Sequence, residues 1–295
     1  MFKSGFIAIL GRPNVGKSTF FNAIVGDKIS IVANKPQTTR NRITGIKNLP
    51  DAQLIFLDTP GMHKPKTPLN RAMVQAAQDT IGDTDLLLMI VEADSAIGPH
   101  DLFLIEALAP ARAPVFLAIN KIDRVEKPAL LPLIDQYSKL HDFAGIFPIS
   151  ALKGNGIDEL LSCLKEALPE GPQLFPDDIA TDATERFIAG EFIREQITLL
   201  TSQEIPYVTA VTIDAFKEDE EKNLIRISAT IHVEKDSQKA IMIGKQGGML
   251  KKIGTQARLA MEKLFGAKVF LELFVRVKKD WTSSDKMLRE FGLIK

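Results

Sequence analysis

The sequence predicts an α/β domain with a mostly parallel sheet, followed by a smaller α+β domain. Three observations carry this. From residue 5 to about 168, short runs rich in valine, isoleucine, leucine and phenylalanine alternate with helix-like segments, the pattern of a parallel sheet covered on both faces. A stretch with three prolines and no period, 169–182 (PEGPQLFPDDIATD), then interrupts the alternation and reads as a linker. Beyond it the order changes to helix, strand, strand, helix, helix, strand. A length of 295 residues suits two domains at about 100–200 residues each, with boundaries at 1–168, 169–182 and 183–295.

The apolar runs of the first domain are 5–10, 42–47, 53–57, 85–91, 114–120 and 145–149. Only residues 48–52, around Pro50 and Asp51, separate the second run from the third. That gap is too short for a crossover helix, so one antiparallel hairpin is expected at the sheet edge. In the second domain a helix is expected over about 183–200, strands over 206–216 and 224–233, and an acidic turn at 217–222 between them. A short helix near 237–243, a glycine turn, a longer helix to about 265 and a strand over 268–277 complete it, with a tail after them. Leu250, Ile253, Ala257, Met261 and Leu264 recur at three- and four-residue steps, giving the longer helix one buried face.

Hydrophobic residues make up 45% and charged residues 25% of the chain, which excludes a disordered or membrane-embedded body as the average. The net charge is zero, so any basic surface must be local. A single cysteine, Cys163, excludes an intrachain disulfide and favours a reducing compartment. No apolar stretch approaches the ~20 residues of a membrane span. A soluble cytoplasmic protein is expected, neither secreted nor integral to a membrane.

Gly11, Arg12, Pro13, Asn14, Val15, Gly16, Lys17 and Ser18 (GRPNVGKS) fit G-x-x-x-x-G-K-[ST] between an apolar strand and a helix. Glycines let the backbone wrap phosphate oxygens, and loop amides with the helix N-terminus supply positive potential. Lys17 would reach the outer phosphates and Ser18 the magnesium ion. Asp58 to Gly61 (DTPG) ends the third strand, where the carboxylate can hold magnesium through water and the Gly61 N–H can meet the terminal phosphate. Asn120, Lys121 and Asp123 (NKID) end the fifth strand, where Asp123 can accept from guanine N1–H and its 2-amino group, a pair adenine lacks. Ser150, Ala151 and Leu152 (SAL) follow the sixth strand and supply a backbone N–H for the guanine oxygen. Four motifs in this order, each at a strand end, imply GTP binding with Mg2+.

From 235 to 279 there are eleven lysine or arginine residues against three acidic ones, a net of +8 in a chain whose total is zero. Such a segment can follow a phosphate backbone. Gly244, Lys245, Gln246 and Gly247 (GKQG) form a G-x-x-G turn between two helices in the topology of a type II KH domain, the place where such domains clamp single-stranded RNA. Lys251, Lys252 and Arg258 follow on the longer helix. Ile241 and Ile243 are placed either in the base groove or in the core.

With GRPNVGKS, PQTTR, DTPG, NKID, SAL and GKQG together, the chain resembles the bacterial Era family, a P-loop GTPase domain followed by a KH domain, and the likeness covers both domains. The resemblance implies a GTPase whose first switch is residues 37–41, with Thr39 or Thr38 contacting magnesium and the terminal phosphate. The metal set is then Ser18, Thr39 and Asp58, and the groups expected to act in hydrolysis are Lys17, Thr39, Gly61 and Asn14. Asn14 would help bind a potassium ion beside the phosphates. It implies binding near the 3′ end of small-subunit ribosomal RNA and a role in assembly of the small ribosomal subunit. Peripheral contact with the inner membrane surface is a secondary expectation, and a monomer is expected. An RNA-binding chaperone in which nucleotide is mainly structural is the alternative reading.

The position after the DTPG glycine is Met62, which cannot orient a water and is expected to pack. Surface solvation is the expected role of Arg12, Arg40 and Arg42, and a solvated loop that of His63, Lys64 and Lys66, so intrinsic turnover should be slow.

Overall fold

The computed structural model describes residues 1–33, 35, 38–62, 65 and 67–294; Pro36, Gln37, His63, Lys64 and Lys66 of the sequence reading lie outside them. The chain forms two compact units. One comprises Met1–Ser30, Thr39–Lys66 and Asn70–Asp182, the other Ile31–Thr38, Thr67–Leu69 and Ala183–Lys295.

The first unit runs β1 (Lys3–Leu10), α1 (Lys17–Val25), β2 (Ile43–Leu49), β3 (Ala52–Asp58), α2 (Pro68–Gly82), β4 (Leu86–Glu92), α3 (Pro99–Leu108), β5 (Val115–Asn120), α4 (Leu130–Ser138), β6 (Gly145–Pro148) and α5 (Ile157–Ala167). Its six strands lie in the order β2-β3-β1-β4-β5-β6. All pairings are parallel except β2 with β3, the hairpin turned at Pro50 and Asp51. Strands β3 and β5 are buried along their whole length, which is why they read as unbroken apolar runs. On one sheet face Phe20 of α1 meets Phe56 edge-on at 6.1 Å. A second cluster joins Leu10, Met89 and Leu117 to Leu104 and Tyr137 and takes in Met62, which is fully buried. Each such side chain removed from water contributes about 1.5–3 kcal/mol. Because β1, β3, β4 and β5 are parallel, their carboxyl ends, Leu10, Asp58, Glu92 and Asn120, line one edge of the sheet.

Residues 169–182, expected as a linker, are strapped along the first unit. Gln53 is fully buried, and its amide group donates to the Phe175 carbonyl at 2.8 Å and accepts from the Leu174 and Phe175 N–H groups at 2.9 Å. Further along, the Ile46 N–H donates to the Ala180 carbonyl and Thr181 Oγ1 to that of Thr44. The unpaired side of edge strand β2 and a buried amide both need partners, and this proline-rich segment supplies them.

The second unit contains α6 (Glu185–Leu200), β7 (Ala210–Asp219), β8 (Leu224–Val233), α7 (Asp236–Ile243), α8 (Gly248–Phe265), β9 (Lys268–Val277) and α9 (Asp285–Glu290). The sheet order is β7-β8-β9, with β7 antiparallel and β9 parallel to β8. Helices α6, α7 and α8 pack against it. On α8, Ile253, Ala257 and Met261 are fully buried, as the spacing predicts, while Leu250 and Leu264 at the ends of the stripe are half-buried. The tail is not loose: Trp281 is fully buried and donates from Nε1 to the Val208 carbonyl at 2.8 Å, with Phe291 edge-on at 5.2 Å. Residues 31–38 also belong to this unit. The Val32 N–H donates to Glu195 Oε1 at 3.1 Å, Lys35 donates to the Thr198 and Thr201 carbonyls, and Arg194 donates to the Thr38 carbonyl. Both helix charges, Arg194 and Glu195, are buried, and Arg194 also pairs with Glu191 at 2.6 Å.

Candidate nucleotide site and nucleic-acid interface

The loop from Gly11 to Ser18 joins β1 to α1 at the carboxyl edge of the sheet. A Cβ at Gly11 would lie 2.5 Å from the Ile90 carbonyl oxygen. One at Gly16, where φ is 100°, would lie 2.3 Å from Asn120 Nδ2. No other residue fits these two positions. Asn14 also has positive φ, 68°, and its side chain is exposed. Lys17 is 6% exposed, and its Nζ donates to the Gly11 and Arg12 carbonyls, each at 3.0 Å. Burial brings its ammonium down to about 8, although Asp58 opposes the shift.

Asp58, at the end of β3, is fully buried. Its Oδ2 accepts from Ser18 Oγ at 2.9 Å, Ser30 Oγ at 2.7 Å and Thr39 Oγ1 at 3.3 Å, and Ser18 and Thr39 hydroxyls are 3.0 Å apart. Its Oδ1 is buried with no hydrogen-bond partner among the described residues, and burial raises the carboxyl above its ordinary value. A bare carboxylate oxygen beside two hydroxyls suits a hard, oxygen-seeking cation, so Ser18, Thr39 and Asp58 fit magnesium. A magnesium ion there would neutralise negative charge on bound phosphates. Nothing in the sequence distinguishes Ser30 from any other loop serine. Gly61 stands where a Cβ would come within 2.9 Å of Pro13, so the DTPG turn can lie against the phosphate loop only as glycine.

The base motif is largely a brace. Asn120 Nδ2 donates to the Val15 carbonyl at 2.8 Å, and its Oδ1 accepts from the Ala151 N–H at 2.9 Å. Lys121 Nζ donates to the Asn14 carbonyl at 2.8 Å and pairs with Glu92 at 2.6 Å. Asp123 is left exposed, and a hydrogen bond from Ser150 Oγ at 2.5 Å holds its carboxyl below the usual range, ionised and aimed. The Ser150 and Ala151 amides donate within the protein, to the Asn155 carbonyl and to Asn120, and Leu152 follows them, 71% exposed.

Two arginines correct the expectation of surface solvation. Arg12 lies 3.3 Å from Glu92 and 3.5 Å from Asp101, and Arg40 is 3% exposed. Glu92, at the end of β4, thus ties the phosphate loop to the base motif. Its strand-end position was visible in the sequence, but not its two cationic partners.

In the second unit Gly244 has φ 71°, and a Cβ there would meet Met249 Cβ at 2.7 Å. Gln246 is also left-handed, at φ 51°, and α8 begins directly after Gly247. Lys245, Gln246, Lys251 and Lys252 are exposed, while Arg258 pairs with Glu262 at 2.7 Å. Beside the turn a groove of about 380 Å³ is lined by Gly247, Leu250, Lys251, Arg258, Leu271 and Leu273, among others. Gly254 admits this closeness of α8 to β9, since a Cβ on it would lie 3.3 Å from Leu273. Ile241 is 49% exposed, and it is Met242 that enters the core.

Fold and site together define the class: a P-loop GTPase carrying a KH-type domain. A family model described as a 50S ribosome-binding GTPase matches residues 6–121, and one described as a KH domain matches 204–282. GTPase Era of Syntrophus aciditrophicus is 62% identical over 99% of this chain and 95% of its own, and that of Geobacter metallireducens 55% over 99% and 98%. A crystal structure of Era with MgGDPNP and nucleotides 1506–1542 of 16S ribosomal RNA superimposes with a TM-score of 0.96 at 41% identity, covering all of both chains. An Aquifex aeolicus Era variant bound to GDP and AlF4− gives the same values. The chain belongs to the Era family of GTPases, and it is a GTP-hydrolysing enzyme.

Proposed function

We propose that this enzyme is a GTP-controlled switch that binds ribosomal RNA near the 3′ end of the small-subunit RNA during assembly of that subunit. Asp58 carries the reading: a buried carboxylate with one unpartnered oxygen, beside the Ser18 and Thr39 hydroxyls and the desolvated Lys17, is a site completed by a magnesium triphosphate. Lys17, Thr39, Gly61 and Asn14 act on the terminal phosphate. The phosphate loop, Thr38 and the NKID and SAL residues hold the nucleotide, with Asp123 reading guanine. Gly244, Lys245, Gln246 and Gly247 clamp RNA, with Lys251, Lys252 and Arg258 on its phosphates. Support comes from the full-length likeness to an Era structure holding MgGDPNP and 16S RNA.

Crosslinking to ribosomal RNA tests this with wild type and a Gly244→Ala/Gly247→Ala variant, each with GDP and with a non-hydrolysable GTP analogue. Crosslinks near the 3′ end that vary with nucleotide and vanish in the variant are expected; identical crosslinks in every arm would leave only a nucleotide-indifferent RNA chaperone. Asn14, exposed in the phosphate loop, supplies an oxygen to a potassium ion, so hydrolysis is faster in potassium than in sodium. The protein works as a cytoplasmic monomer, its basic face making peripheral contact with anionic membrane. Among the described residues no helix is long and apolar enough to cross a membrane.

A further inference from the structure

Strand β9 is the edge of the second unit's sheet, and its two faces differ. Period-two alternation turns Val269, Leu271 and Leu273 toward the helices, while Lys268, Phe270, Glu272, Phe274 and Arg276 are exposed on the other side. Phe270 is 48% and Phe274 51% exposed, and they stand four residues apart, about 13 Å at ~3.3 Å per residue. An exposed edge strand bearing two phenyl rings is an aggregation liability unless something uses it. The C-terminal tail reaches this face at His232, whose ring centroid lies 4.7 Å from that of Phe291.

The side chains around the rings are those that hold nucleic acid. The guanidinium of Arg226, opposite Phe270 in the register, sits 5.6 Å from that ring's centroid. Exposed Lys268 and Arg276 flank the two rings along the strand. Of the acidic groups nearby, Asp214 is engaged by the Thr230 hydroxyl at 2.6 Å, Glu262 by Arg258 at 2.7 Å and Asp219 by Lys222 at 3.1 Å, and Glu272, between the rings, is an acceptor of the kind that meets a cytosine amino group. A groove of about 710 Å³ opens beside Phe270, lined by Arg226, Arg258, Glu262 and Lys268. Arg258 also lines the groove beside the GKQG turn on the helix side of β9. Arg258 therefore lines both grooves.

We infer that the outer face of β8 and β9 is a second contact for single-stranded RNA. Phe270 and Phe274 stack bases, Arg226, Lys268 and Arg276 meet phosphates, and the strand held by the GKQG turn continues to them past Arg258. Aromatic rings spaced along a basic sheet face are a sequence-tolerant platform for unpaired bases. This inference rests on the RNA-binding reading above, and its test separates the two.

The full-length protein is titrated with two single-stranded RNAs, one of about four nucleotides, the length a KH turn clamps, and one about three times as long. Wild type, Phe270→Ser/Phe274→Ser and Gly244→Ala are compared, with thermal unfolding as the check that each is folded at the titration temperature; the two rings are about half exposed, so their replacement is expected to lower the melting temperature and keep a cooperative transition. The double phenylalanine variant is expected to lose at least about tenfold in affinity for the long RNA, on the scale of base–aromatic stacking, and nothing for the short one, whereas Gly244→Ala loses both. Equal long-RNA affinity in wild type and the double variant overturns the inference. If in that case the double variant loses binding to vesicles of phosphatidylglycerol and phosphatidylethanolamine, or changes its oligomeric state, the face belongs to lipid or to a second copy. Wild type that binds neither RNA overturns the RNA reading itself.

Discussion

The two glycine loops of this protein use the same residue types in opposite dielectric surroundings. In the first, Gly11–Ser18, the lysine is 6% exposed and faces a fully buried aspartate; in the second, Gly244–Gly247, the lysines on and after the turn are exposed. Taking Lys17 and Asp58 out of water is costly, and each is shifted toward its neutral form. That cost is offset only by a ligand with the complementary charges in the same places, so the first loop is selective. Lys245, Lys251 and Lys252 are exposed, and hydrated cations of this kind can meet many arrangements of phosphate in a salt-dependent way. Burial separates a site built for one arrangement of charge from a surface open to many.

Replacing a buried charge should produce the largest effect. Lys17→Ala is expected to lower the single-turnover GTPase rate by about 100- to 1,000-fold, the scale of losing one preorganised charge, and a rate near wild type would remove the contrast between the loops. Asp123→Asn should weaken GTP binding by about 1–3 kcal/mol, because an amide presents a donor to guanine's own donors, and should improve binding of a base with oxygen at position 2. Competitive titration of the two triphosphates measures it. Gly244→Ala forces a Cβ to 2.7 Å from Met249 at φ 71°. It should reduce RNA affinity about tenfold at ~1.4 kcal/mol while GTP affinity stays constant.

The pH response divides the loops further. Lys17 of the nucleotide-free protein loses its proton near pH 8, against an ordinary 10.5. GTP binding must restore that proton, so affinity should fall above pH 8 by up to about tenfold per unit. Between about 8 and 10.5 the unfolded chain binds more protons than the folded one, so stability of the free protein should rise with pH over the same window. Calorimetry and thermal unfolding read the two opposite slopes. Smallest in effect, Lys251→Gln/Lys252→Gln should flatten the salt dependence of RNA binding by about 1.4 in the log–log slope, with nucleotide affinity unmoved.

Sequence reasoning reached the strands and the motifs because both are local. Valine and isoleucine runs report burial on two faces, and a phosphate loop needs its glycines at set intervals whatever surrounds it. It misjudged positions whose environment comes from distant residues. Nothing near Arg12 in the chain announces Glu92 or Asp101, and nothing near Ser30 announces Asp58. The segment 169–182 reads as a linker because its prolines deny it helix and central strand, yet the same backbone satisfies Gln53 and the open side of β2. Met62 was legible in part, as a side chain unable to direct water; its place in the core came from packing.

By itself, then, the sequence determined that β1 would end in a glycine loop opening a helix, that Asp123 would stand past the end of β5, and that a G-x-x-G turn would present lysines. These depend on residue type and spacing along a few turns of backbone. Tertiary structure decided which of the like-looking charges are buried, that Asn120 and Lys121 brace the phosphate loop, and that Phe270 and Phe274 face outward, the first beside Arg226 of the neighbouring strand. Burial and the meeting of side chains far apart in the chain are properties of the folded volume, and a linear order of residues does not specify them one neighbourhood at a time.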